Sequence, residues 1–513
     1  MSTVEEVIGL KALDPGLKAY DPKTATLLDE HDPLKEFRKE FRLPTNKGIK
    51  ATAVQENLQE EPCVYFVGNS LGPLAKRSQE LLNEELDVWA TVGVTGHFDH
   101  PLKRDWMTLA SKATKLLAPI VGAREEEIAV MGTLTANLHL MMSSFYKPTK
   151  ERFKILCEIK PFPSDEYAFA SQAALNGLDP TTTVVHLKPR ANEHTLRTSD
   201  ILDAIKEHSS SLALVLLSGV QYYTGQYFAM PEITKAAHDA GAPCGWDLAH
   251  GVGNVPLSLH DWDVDFAVWC TYKYLNSGPG GIGGLFVHEK WHKEKGVQYA
   301  GWWGHDEATR FEMPSVFQPI PGAQGFQQSN PSILNIASLL GSLEVFSRVH
   351  PTDPMSVIRA KSIRATAYLE TLLRSTRFFV GPHDGEKVLK GEILTGADKP
   401  MKGAFTIITP RAKAERGAQL SLLFSEEAMP TVFSEMVKRG VIGDERHPGI
   451  IRFAPAPLYC SFEDLNISDA FGINAAATAS FMLATGGRSS SERIFLDSLR
   501  PLNRRRRSLK PSV

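Results

Sequence analysis

The chain has 513 residues, 42% of them hydrophobic and 22% charged, with a formal net charge of −3. That composition suits a large-cored globular protein of more than one domain, and the missing basic excess argues against nucleic acid as a partner. The start, MSTVEEVIGLKALDPGLKAYD, fits neither a secretory nor a transit pattern, and no apolar run approaches the ~18 residues of a membrane helix.

Residues 1–62 are polar, with Glu/Lys-rich helical stretches, and read as an N-terminal arm that packs with a small domain. From CVYFVGNSLG onward, short β-rich runs alternate with helical segments. Residues 63–340 are therefore predicted to be a large α/β domain with a mostly parallel sheet. Its expected strands are 127–131, 154–157, 183–187, 212–217, 243–247, 266–270 and 284–288, with helices such as 135–145 and 199–208 between them. Past residue 340 the pattern predicts a long helix over 354–375, then strands near 405–408 and 450–453. These define a smaller α+β domain, 341–483. The loop 383–403 is polar. Residues 484–513 read as a flexible tail ending in a run of arginines, Arg504–Arg507, which suits a solvated tail, a nuclear address or an anion patch.

The five cysteines, Cys63, Cys157, Cys244, Cys270 and Cys460, are scattered and form no C-x-x-C pair. They read as buried thiols in a reducing compartment, which predicts a cytoplasmic protein.

The run TYKYLNSGPGGIGGLFV holds Gly278, Gly280 and Gly283 in the spacing G-x-G-x-x-G. A dinucleotide fingerprint follows a strand and opens a helix; here a strand follows the glycines, so that reading fails on context. Lys273 fits better. An aldehyde cofactor such as pyridoxal phosphate is held by a lysine, with an acid facing its pyridinium nitrogen. Asp247 closes an apolar strand in APCGWD, and Lys273 follows the end of the next one. Both side chains then sit at the carboxyl edge of one parallel sheet, where open α/β sheets bind ligands. MGTLTANLHL starts a helix with Thr133 or Thr135 near its cap. Free N–H groups there suit a phosphate, although a plain N-cap threonine explains the pattern equally well. In KPFPSDEYA, Phe162 can stack on the ring or fill the core, and Asp165 can cap the next helix. A metal set of His238, Asp247 and His250 has the right residue types but no recognised spacing.

The segments YFVGNSLGP, GTLTANLHL, FPSDEYA, LSGVQYYTGQ, WDLAHGVGNVPLSLHDWDVDFAVWCTYKYLNSGPGGIGG, GWWGH, QQSNPSIL, RGAQLSL and IRFAPAPLY lie collinearly from residue 65 to 459, and they resemble the kynureninase family. The resemblance implies an aspartate-aminotransferase-like fold, pyridoxal 5'-phosphate and a homodimer with shared active sites. It also implies hydrolysis of L-kynurenine or 3-hydroxy-L-kynurenine to the aromatic acid and L-alanine. On this sequence it makes Lys273 the Schiff-base lysine and general base, and pairs Asp247 with the pyridinium nitrogen. Leu134 and Thr135 would contact the phosphate. The Phe162, Pro163, Ser164, Asp165 turn, Ser218, His250 and Tyr272 would line the cofactor site. Trp302 and Asn330 would reach it from the other subunit. Arg452 would clamp the substrate carboxylate, His97 (or His100) and Asn330 would meet the aromatic end, and Tyr223 would donate a proton. The rival readings are another enzyme of the same fold, such as a cysteine desulfurase, and a catalytically silent scaffold.

Overall fold

In the computed structural model, which describes residues 3–292, 299–376, 378–390, 392 and 403–467, a seven-stranded mixed sheet forms the centre. Its strands are β1 (Ile128–Val130), β2 (Lys154–Glu158), β3 (Val184–Leu187), β4 (Leu212–Ser218), β5 (Cys244–Asp247), β6 (Phe266–Cys270) and β7 (Gly283–Val287), in the order β1-β7-β6-β5-β4-β2-β3. All run the same way except β7, which is antiparallel to both its neighbours. The strands are nearly unbroken apolar runs because helices cover both faces of the sheet. Three strands end in a polar residue at the carboxyl edge: Glu158 closes β2, Ser218 closes β4 and Asp247 closes β5. The chain leaves β2 outward to β3 and returns to β4, so the strand order reverses between β2 and β4. Such a switch point opens a crevice at the carboxyl edge.

Helices α1 (Lys76–Val92) and α2 (Leu109–Val121) flank an almost wholly buried helix, Ile333–Ser347. Gly341 lets this helix come close to α1, since a Cβ there would lie 2.5 Å from the Ser78 backbone; the Ser78 hydroxyl also donates to Ser338 O at 2.6 Å. Two helices frame the crevice. They are α3 (Leu134–Phe145), which follows β1, and α4 (Pro163–Leu175), which follows β2 and carries Pro163 at its first position. After α5 (Ile333–Ser347) comes α6 (Pro354–Ser375). It begins with Pro354 and is capped by Asp353, whose Oδ1 accepts from Ser356 N at 3.0 Å.

A second, antiparallel sheet has the order β8 (Phe405–Ile407), β9 (Leu420–Phe424), β11 (Ile450–Phe453), β10 (Asp444–Arg446). The run after Cys63 does not join the main sheet: Val64–Tyr65 pairs in parallel with Val441–Ile442. Residues near the N-terminus reach the same end of the chain. Arg38 pairs with Asp464, Asp29 accepts the backbone N–H groups of Phe462 and Glu463 at 2.7 and 2.9 Å, and Asp32 meets the buried Lys361 at 2.6 Å. The expected tail, with Arg504–Arg507, and most of the loop 383–403 lie outside the described residues.

Candidate active site

The crevice encloses a cavity of about 190 Å³ bounded by the carboxyl ends of β4 and β5, the starts of α3 and α4, and the turn after β6. Lys273 Nζ projects into it from that turn. It lies 3.0 Å from His250 Nε2 and 5.9 Å from the ring centroids of both Phe162 and Tyr272. Nζ is the donor of this pair when charged, so Nε2 accepts and the imidazole proton sits on Nδ1. That atom is buried and has no hydrogen-bond partner. Burial, then the charges of Lys273, Arg452 and Arg446, hold His250 well below the usual imidazole range. It is therefore a neutral ring at physiological pH.

Asp247 lies opposite. Its Oδ1 accepts from Ala249 N at 2.7 Å, which fixes the carboxylate at the strand end. Asp165 does not cap α4 as the sequence suggested. It occupies the third position of the helix, fully buried, with Oδ1 unpartnered and its carboxyl against that of Asp247. Burial, then Asp247, raises Asp165 well above the usual carboxylate range. Two like charges cannot share a dry site, so Asp165 keeps its proton.

The start of α3 is also open. Thr133 is the N-cap residue, yet its side chain makes no capping bond, which sets aside the plain N-cap reading. The Thr135 and Ser164 hydroxyls lie 2.6 Å apart at the cavity wall, beside Leu134. Hydroxyls and free helix N–H groups together make an anion cradle. Phe162 is the N-cap residue of α4 and stays 43% exposed, so it is no core aromatic. Its ring meets Tyr222 edge-on, with centroids 5.3 Å apart.

Several expected residues lie elsewhere. The Tyr223 hydroxyl donates to Pro448 O at 2.6 Å, and Tyr223 does not line the cavity; its neighbour Tyr222 does. Pro163 shapes the start of α4 without facing the cavity. Arg452 was expected to clamp the substrate carboxylate. It is only 1% exposed, with Nη1 donating to Tyr222 O at 2.8 Å and Nη2 paired to Asp444, while Nε has no partner. His100 is buried and bonded to Glu85 at 2.9 Å, so it is structural. His97 packs edge-on against Trp106 and does not line this cavity. Trp302 and Asn330 do not line it either. Trp302 is 43% exposed, and the buried Asn330 Oδ1 lacks a partner. His238 is bonded to Asp265 at 2.7 Å, so it joins neither Asp247 nor His250.

Sequence reasoning missed Tyr222, Asp444 and Glu158. Glu158 carried the same signal as Asp247, an acid closing an apolar strand.

These features fit pyridoxal phosphate: an amine, an opposed acid pair, an aromatic ring at the mouth, and an uncapped helix start with two hydroxyls for a phosphate. Residues 75–375 match the aminotransferase class-V family model, and residues 391–470 match the kynureninase C-terminal domain. A kynureninase of Monosiga brevicollis is 45% identical over 88% of this chain and 96% of its own length. One from Saccharomyces cerevisiae is 47% identical over 84% and 94%, and one from Coccidioides immitis is 46% identical over 87% and 92%. Among solved structures, a cysteine desulfurase from Thermococcus onnurineus superposes with TM-score 0.64 at 16% identity, covering 87% of this chain and 98% of its own. The cysteine desulfurase CsdA of Escherichia coli gives 0.62 at 16% identity, covering 87% and 98%. At that identity the likeness is one of fold.

Proposed function

The chain belongs to the kynureninase family, and on that premise we propose how its own residues divide the chemistry. The enzyme is a pyridoxal-phosphate-dependent hydrolase. It cleaves the Cβ–Cγ bond of L-kynurenine or 3-hydroxy-L-kynurenine with one water, giving the anthranilate and L-alanine. The carrying observation is the Lys273 amine, set in one buried cavity with a neutral His250 and the Asp165–Asp247 pair.

When bound, the cofactor supplies the sink for electrons released at the substrate α-carbon. Lys273 would hold its aldehyde group, and its Nζ, 3.0 Å from His250 Nε2, would then be placed to take the Cα proton of the substrate as general base. Asp247 would pair with the ring nitrogen, with the neutral Asp165 orienting Asp247. Thr135, Ser164 and the N–H groups opening α3 would hold the phosphate. Phe162 would stack on the ring and exclude water. His250, kept neutral, accepts a hydrogen bond from Lys273 Nζ on Nε2 without adding charge beside it. Arg452, braced by Asp444, attracts the substrate carboxylate. Tyr222, whose hydroxyl is not drawn away as that of Tyr223 is, would take over the proton donation expected of Tyr223, to the carbon that becomes the alanine methyl group.

The second copy in a homodimer supplies Trp302 and Asn330, and His97 meets the aromatic end of the substrate. The unpartnered Asn330 amide and the exposed cluster of Phe98, Trp302 and Phe311 support that arrangement. Five free, buried thiols support a cytoplasmic setting. They also weigh against a desulfurase. Burial pushes Cys63 up to about 12 and the other four upward as well, and no cysteine lines the cavity.

Lys273→Ala, reconstituted with pyridoxal phosphate, is expected to lack both the visible band of the holoenzyme and turnover. Survival of that band in the variant overturns the lysine assignment. Mixing Lys273→Ala with Asn330→Ala subunits tests the shared site. Random reassociation restores about a quarter of wild-type activity if each site draws on both chains, and none if it does not.

A further inference from the structure

Three neighbouring strands end in polar residues side by side. Asp247 is paired with Ser218 in the β5–β4 ladder, and Glu158 closes β2 on the other side of β4. Ser218 therefore has a carboxylate on each flank, and its single hydroxyl proton can go to only one of them. It goes to Glu158: Oγ donates to Glu158 Oε1, and the Ser218 N–H points at both Glu158 oxygens at 3.3 Å. No hydrogen bond links Ser218 to Asp247. Glu158 is 2% exposed and does not line the cavity, whereas Ser218 does.

A hydroxyl whose proton is already committed has only lone pairs left to offer. We propose that Glu158 is a positioning residue that draws the Ser218 proton away from the cavity, so that Ser218 faces the cofactor as an acceptor and the free oxygen of Asp247 is left for the ring nitrogen. This deepens the assignment of Lys273 and Asp247 above and rests on it. A carboxylate here also places a buried negative charge behind Ser218, at the cavity wall. The charged and titratable groups around it are Asp247 from β5, Asp165 from α4, Cys157 on its own strand, and Tyr222 after β4. Burial raises the Glu158 carboxyl, and the bonds from Ser218 oppose that rise. A negative charge here favours any protonated group on the cofactor, so its removal shifts the protonation of that group to lower pH.

The test uses apoenzyme reconstituted with pyridoxal phosphate, read without substrate. Glu158→Gln is expected to bind the cofactor about tenfold more weakly, since one charged hydrogen bond is exchanged for a neutral one. The pH midpoint of its visible band is expected to move down by about half a unit or more. Glu158→Asp, which keeps the charge, recovers the midpoint in part. Ser218→Ala loses a similar share of affinity, and the double variant Glu158→Gln/Ser218→Ala binds the cofactor no more weakly than Ser218→Ala alone, because Glu158 acts on affinity through Ser218, while the midpoint shift, a through-space charge effect, persists in it. A wild-type midpoint and affinity in Glu158→Gln overturn the proposal. So does full additivity in the double variant. If Glu158→Gln does not fold, unchanged affinity in Ser218→Ala overturns it by itself. A wild-type holoenzyme with no visible band at all refutes the Lys273 assignment instead, so the two failures are distinct.

Discussion

The two edges of the central sheet carry similar residues in opposite states. At the amino-terminal edge, Asp265 accepts from Cys244 N at 2.6 Å, from His238 at 2.7 Å and from Trp291 Nε1 at 2.8 Å, and pairs with Lys290 at 3.1 Å. Glu127 accepts from Arg124 N, His260 and Glu289 N, each at 2.9 Å. At the carboxyl edge, Asp165 meets another acid, and Asp165 Oδ1 and His250 Nδ1 have no partner at all. Burial pushes both Asp265 and Asp165 upward. At Asp265 the His238 bond, the Lys290 charge and the Cys244 N–H outweigh it, and the carboxyl sits below its usual value. At Asp165 the neighbouring carboxyl adds to burial instead. The cluster Glu127, His260 and His288 has the residue types of a metal site. Yet its imidazoles are stacked 11° from parallel, and His288 Nδ1 already accepts from Lys290 N at 3.1 Å. Their lone pairs do not converge on one ion, so the group reads as structure. Saturated charge builds the scaffold, and charge left wanting a partner marks the place for a ligand.

Five variants sharpen or break that contrast. Asp247→Asn should have the largest effect, lowering kcat by about a thousandfold through loss of the charge facing the ring nitrogen. The melting temperature of the apoenzyme should hardly move; a variant that keeps its turnover breaks the reading of this edge. Asp265→Asn should do the reverse. Removing one member of a buried, bonded set costs about 2–3 kcal/mol in denaturant titrations, while kcat per folded molecule stays at the wild-type level. The sign with pH follows from the lowered carboxyl. Stability supplied by Asp265 is present above the unfolded-state value near ~3.9 and is lost as pH falls through the lower folded-state value. The variant should therefore lose less stability on acidification than the wild type.

Asp165→Asn tests the opposite sign. Its raised carboxyl means the folded apoenzyme holds a proton that the unfolded chain releases above ~3.9, so stability falls as pH climbs toward the folded-state value. Replacing it should stabilise the apoenzyme near neutral pH by about 1 kcal/mol. Loss of stability in that variant would place Asp165 with the saturated groups. Tyr223→Phe should be the mildest, costing about 1 kcal/mol for the bond to Pro448 O with kcat within about twofold, whereas Tyr222→Phe lowers kcat by an order of magnitude or more. Equal losses in the two would restore Tyr223 to the chemistry.

Much of this was legible in the residues. The strands of the main sheet are apolar runs such as KILC, LALVLL and FAVWC, and they lie within a residue or so of where they were expected. Asp247 and Lys273 stood out because a charge closing such a run has to sit at a sheet edge. Glu158 escaped for a small reason: its strand was expected to stop at Cys157, one residue early. Composition also hid the reversal of β7, since an antiparallel strand buried on both faces is as apolar as a parallel one. Between Tyr222 and Tyr223 the residue type is silent, because neighbouring side chains diverge and only tertiary contact chooses which one meets the cavity. Arg452 looked available because its partner Asp444 lies on another strand of the small sheet.

The clasp between residues 29–38 and 459–464 has a bearing on how the enzyme is made. Arg38 and Asp464 stand 426 residues apart in sequence, so these contacts close only after residues 459–464 have been synthesised. The central sheet, whose strands all precede them, can assemble during translation before the clasp forms. Truncation near residue 460 would then harm maturation more than its few lost contacts suggest.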